Sequence, residues 1–110
     1  MKNGFRLIYF VKARDWDPQL KEYPLLAFQE VIDLETTRVV EIWGDGLTGI
    51  GRSSDMLELG GTRLPDQLDS EIPTPRTETV EVEISREQFE ICWRNAVKRV
   101  QWELGTAISP

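Results

Sequence analysis

The stretch WGDGLTGIG, residues 43–51, carries G-x-G-x-x-G at Gly44, Gly46 and Gly49. In a dinucleotide-binding protein such glycines follow a strand and open a helix, whose first backbone amides meet a pyrophosphate. Asp66 and Asp69 stand about 20 residues further on, where a ribose-binding carboxylate would be sought. The helix is what fails. TGIGRSSD follows, with two more glycines and adjacent serines, a poor helix start, and no βαβ crossover fits around it. Asp45-Gly46 between alternating apolar residues is instead a strong hairpin signal, and it predicts a type I′ turn with positive φ at both positions. The glycines are read as a turn, and no cofactor site is assigned.

Other chemistry is bounded by what the chain lacks. It contains no histidine and one cysteine, so a Ser-His-Asp triad, an imidazole base and a histidine-ligated zinc are excluded. Cys92 falls mid-helix on an apolar stripe with no base to activate it, and is read as a core residue. Carboxylates remain. Asp66, Asp69 and Glu71, or Asp55 with Glu58, invite a cation-site reading, but neither grouping has the spacing of a calcium loop and prolines interrupt the region. They are read as a solvated acidic loop, with neither a metal site nor a catalytic residue assigned.

At 110 residues, 40 % hydrophobic and 29 % charged, the chain has the make-up of one globular domain spanning residues 1–110. No apolar run approaches the roughly 20 residues of a membrane span. The opening MKNGFRLIYFVKAR reads as strand, not signal peptide, and a lone cysteine fits a reducing compartment, so a cytoplasmic location is expected. The net charge of −6 is uneven: residues 22–75 hold three basic against eleven acidic residues, a balance of −8. Such a body repels nucleic acid and anionic lipid, so neither is expected as a direct ligand, and it attracts a basic protein.

The elements follow from periodicity. Residues 5–13, 25–33, 37–43, 47–52 and 79–84 alternate as strands. In the last of them Val80, Val82 and Ile84 are assigned to the core and Glu81 and Glu83 to the outside, with Glu87 and Glu90 nearby on the helix. Residues 53–77 hold glycine and proline among acids and read as a long irregular excursion. Ser85 and Gln88 form a capping box. Phe89, Cys92, Trp93, Ala96, Val97, Val100 and Leu104 then recur at helical spacing until Gly105. The expected fold is α+β: a mainly antiparallel sheet of four or five strands packed against a C-terminal helix over about residues 86–103. Trp102 falls off the apolar stripe, with Ile91, Asn95 and Lys98.

RVVEIWGDGLTGIGRSS (residues 38–54), EIPTP (71–75) and EISREQFEICW (83–93) together resemble a family of small bacterial domains of unknown function. Its members combine a strand–Asp-Gly–strand hairpin with a proline corner and a late helix cap. The resemblance spans about residues 24–93, while the last helix here runs on past Trp93. It brings no catalytic residue. It implies a likeness to immunity proteins of toxin–immunity systems, including contact-dependent growth inhibition, which bind a toxin, often a basic nuclease, by electrostatically steered contact. On that basis the partner is a cognate, basic toxin protein. The contact surface is placed on Asp55, Glu58, Asp66, Asp69 and Glu71, with Trp16 as aromatic anchor and Asp45 at the hairpin tip as a further contact. Two alternatives remain open: a small carboxylate-dependent hydrolase or metal enzyme, and a homo-oligomeric module, such as a homodimer through the Trp102 face.

Overall fold

The computed structural model describes residues 6–15, 19, 21–64 and 79–109. Period-two alternation produces strands β1 (Leu7–Arg14), β2 (Leu26–Ile32), β3 (Glu35–Ile42), β4 (Thr48–Arg52), β5 (Leu57–Leu59) and β6 (Thr79–Glu83), and the 3.6-residue period produces helix α1 (Arg86–Leu104). The strands form one antiparallel sheet in the order β5-β4-β3-β2-β1-β6. Strands β1 to β5 are therefore a meander, and β6 returns to the far side of β1. The architecture is α+β with the helix on one face, as the sequence predicts, but with six strands. The unforeseen strand, β5, lies inside the stretch expected to be irregular. Three residues are too few to show a period; pairing with β4 and packing of Leu57 and Leu59 against the core define it.

Two hairpin turns exchange the chemistry expected of them. At Trp43–Leu47 only Gly46 has positive φ (87°), the Gly46 N–H donates to the Trp43 carbonyl at 2.9 Å, and the Asp45 carboxylate accepts from the Leu47 N–H at 3.1 Å. This is a three-residue connection whose third member is left-handed, not the type I′ turn predicted at Asp45-Gly46. The type I′ geometry occurs at Asp33-Leu34, with φ of 50° and 72°. Leucine at such a position is strained and leaves its side chain 88 % exposed.

The core lies between the helix and one sheet face. Phe89, Trp93, Ala96, Val97 and Val100 from α1 meet Tyr9, Val40 and Ile50 from the sheet, joined by Ile108 after the helix. The helix starts at the predicted box: the Ser85 hydroxyl accepts from the Gln88 N–H at 3.0 Å and the Gln88 side chain accepts from the Ser85 N–H at 2.8 Å. It ends at left-handed Gly105, whose N–H returns to the Gln101 carbonyl. The chain then folds back, because Gln101 donates to the Ile108 carbonyl and Arg52 to the Ser109 carbonyl. Ile84 packs on the core, but Val80 and Val82 are 60 % and 50 % exposed, correcting their assignment to the interior. They belong to the edge strand β6.

Alternate glycines in TGIGR open the second face. Gly49 and Gly51 both point away from the helix, and the turn at Gly60 and Gly61 (φ 75° and 89°) lays Thr62 over Gly49 and Leu64 over Gly51. A Cβ on Gly49 would overlap the Thr62 hydroxyl and stand 2.9 Å from the Gly60 carbonyl oxygen. Gly49→Ala should therefore cost about 1–3 kcal/mol in urea unfolding, the cost of overpacking. Leu34→Gly should stabilise by about 0.5–1 kcal/mol through relief of strain. Equal midpoints for wild type and Gly49→Ala would contradict the close approach.

Candidate functional site

Charged side chains occur on both faces of the sheet, and the two sets are organised differently. On the helix side the register aligns Tyr9, Glu30, Arg38 and Arg52 in one row across β1, β2, β3 and β4. Arg38 makes two bonds to Glu30 (Nε to Oε1 2.8 Å, Nη2 to Oε2 2.6 Å) and two to Glu90 of the helix (2.9 and 2.8 Å). Its guanidinium lies 4.9 Å from the Phe89 ring centroid and 5.3 Å from that of Trp93. Glu30 also accepts from the Tyr9 and Thr37 hydroxyls, both at 2.8 Å. Burial pushes the Glu30 carboxyl up, but the bonds from Arg38, Thr37 and Tyr9 overcome this and hold its pKa at about 2. Burial and Glu30 raise Tyr9. Every Glu30 oxygen is occupied, so this constellation is a clamp between helix and sheet and has no free base. The sequence reading set Glu90 near the outward Glu81 and Glu83; it is held instead by Arg38 on the helix side of the sheet.

The residues expected to meet a partner are placed as follows. Asp45 is at the β3–β4 tip, its carboxylate turned back onto Leu47. Asp55 lies beyond the other end of β4, about 17 Å along a five-residue strand, so the two share no patch. Asp55 is bound by both Nε and Nη2 of Arg52 (3.0 and 2.8 Å), and that bond holds its pKa below the usual carboxylate range. Glu58 is exposed on the helix-free face opposite Gly51 and accepts from the Leu64 N–H at 2.6 Å. Trp16, Asp66, Asp69 and Glu71 lie outside the described residues. Among the described residues no three His, Cys, Asp or Glu side chains gather as metal ligands. Cys92 packs against the core, and burial pushes its thiol up to about 11, so it is protonated at neutral pH.

The helix-free face carries a set the sequence disclosed only in part. Its two central cross-strand rows run Glu81–Lys12–Ala27–Glu41–Gly49 and Glu83–Phe10–Gln29–Val39–Gly51–Glu58. They hold four carboxylates and one cation, Lys12, which reaches Glu81 at 3.4 Å across exposed side chains. Glu81 and Glu83 were legible from strand alternation. Glu41 was not, because one acid within TRVVEIW signals nothing until the register places it beside Gly49.

The chain matches no protein-family model, no curated protein and no solved structure.

Glu30 sets the acid limit of the fold. Its folded pKa of about 2 lies below the ordinary 4.5, so the unfolded state binds its proton more tightly. The resulting stabilisation, on the order of 3 kcal/mol, is complete above about pH 4.5 and lost as pH falls toward 2. Arg38→Met should remove this acid dependence and cost about 3–5 kcal/mol at pH 7, since it strands Glu30 in the interior. Denaturant unfolding at pH 7, 4 and 3 checks both; a wild-type stability flat from pH 5 to 3 would overturn the assignment.

Proposed function

We propose that the chain is a cytoplasmic immunity-type protein, without catalytic activity of its own, that neutralises a basic bacterial toxin domain by binding it through an acidic surface. The observation that carries this reading is the helix-free sheet face with its four central carboxylates against Lys12. A face of that charge steers a basic partner at long range. The helix-side charges are consumed by the clamp and by the Arg52–Asp55 pair, and do not compete. The net charge of −6 acts in the same direction. The family resemblance of the hairpin, EIPTP and EISREQF segments supplies the toxin as the class of partner. Within this reading Glu58 belongs to the contact surface, and Trp16, Asp66, Asp69 and Glu71 remain its loop contribution.

A second reading has its own observation. Trp102 is 85 % exposed, and Ile91 is exposed on the same side of α1, a pair that a homodimer would cover. It predicts a molecular mass in solution that rises with concentration.

The test is calorimetric titration of the C-terminal domain of the protein encoded immediately upstream, at about 50 and 300 mM salt. Nanomolar binding that weakens with salt is expected. Glu81→Lys with Glu83→Lys should slow association about tenfold at low salt with little change in unfolding. The Asp66, Asp69 and Glu71 triple alanine variant reports on the loop separately. No heat at either salt, with a concentration-dependent mass, would replace this reading by the homodimer.

A further inference from the structure

Glu41 differs from the other perturbed carboxylates of the described chain in having no cation. Glu30 and Glu90 share Arg38, and Asp55 has Arg52. Glu41 is half-buried, and burial raises its pKa, offset in part by the Thr62 hydroxyl alone. Among the described residues no lysine or arginine contributes.

The neighbours of Glu41 on the sheet are small. Across the strands, Glu41 has Ala27 on one side and Gly49 on the other, so the sheet is low on both flanks. The Gly60–Gly61 turn fills part of the gap by pressing Thr62 over Gly49, where Thr62 is 2 % exposed. The Thr62 Oγ1 is buried beside the carboxylate and makes no hydrogen bond of full geometry. A half-buried anion and a buried hydroxyl that makes no hydrogen bond of full geometry thus lie side by side. Both cost stability as they stand, and a β-branched residue in the middle of β3 would suit the strand better than glutamate.

We infer that Glu41, flanked on the sheet by Ala27 and Gly49, forms a socket for a lysine or arginine side chain of a protein partner, with its carboxylate as the anion. The inference rests on the helix-free face being the partner surface and specifies the chemistry at its centre. The incoming ammonium or guanidinium bonds the outward carboxylate oxygen, and the Thr62 O–H turns to the inward one. The exposed glutamates of the two rows steer the partner, and Glu41, already desolvated, gives the stronger contact per charge.

The test uses a heptaarginine peptide as a probe at about 20 mM salt. Carbon-detected NMR follows the titration of each glutamate carboxyl in the wild-type protein, with and without the peptide. The expected result is a Glu41 pKa that falls on addition of peptide, together with a shift of the Gly49 amide. Glu41→Gln should weaken peptide binding about tenfold and raise Tm, because it removes an uncompensated charge, while exposed Glu83→Gln should change binding less than about threefold. A peptide that binds Glu41→Gln within about twofold of wild type and leaves the Glu41 titration unmoved would overturn the socket, leaving a carboxylate served by water. The upstream toxin domain, titrated in parallel, separates the two ideas. Toxin binding with Glu41 unmoved removes the socket and keeps the toxin reading. Peptide engagement of Glu41 without toxin binding does the reverse.

Discussion

The Arg38 guanidinium is shared by Glu30 of the neighbouring strand and Glu90 of the helix, and the geometry of the whole domain leans on that sharing. An arginine enclosed between two carboxylates and two aromatic rings tolerates little displacement of any of them. It pins the register of β2 against β3 next to the irregularity between Glu30 and Val31, where a one-residue slip would turn Glu30 to the wrong face. It also fixes the helix: with Glu90 held, Phe89 and Trp93 are set over the Tyr9–Arg38–Arg52 row. Its main contribution is one of specificity, since an apolar cluster of the same volume would stabilise the interface at least as well.

The clamp also divides the labour of the two sheet faces. Toward the helix, the buried charges find opposite charges: Glu30 and Arg38 are saturated, and burial pushes the Cys92 thiol up. Away from the helix, glycine at positions 49 and 51 lets the chain return over the sheet at residues 60–64, and the carboxylates of the same two rows are incompletely compensated. Charges left uncompensated in a protein of marginal stability mark where binding energy remains to be gained. The face without the helix is accordingly the face assigned to the partner.

Legibility in the sequence tracked the range of the interactions involved. The helix, its capping box and its glycine stop are local, and SREQ and LG carry them in full. Five of the six strands show their alternation; β5 does not, because three residues held by a neighbour and a core contact have no local signature. The turns show the same limit. Asp-Gly predicted a left-handed pair at 45–46, whereas strand register placed that pair at Asp33-Leu34, against the intrinsic preference of leucine. Charges were least legible of all. Glu30 and Glu90 stand 8 and 52 positions from Arg38, and nothing in EVID, TTRVV or QFEIC announces their meeting. The glycines of GDGLTGIG were read as a turn, which holds for Gly46, while Gly49 and Gly51 stand in β4 and make room for Thr62 and Leu64.

The account stands on the claim that the partner covers the sheet face opposite the helix. The most direct measurement is an NMR comparison of free protein and toxin complex, using the Ala27 methyl group and the Trp102 indole N–H as reporters of the two sides. The account predicts that the Ala27 signal shifts on complex formation and the Trp102 indole does not. A shifted indole with an unchanged Ala27 methyl would place the partner on the helix and contradict it.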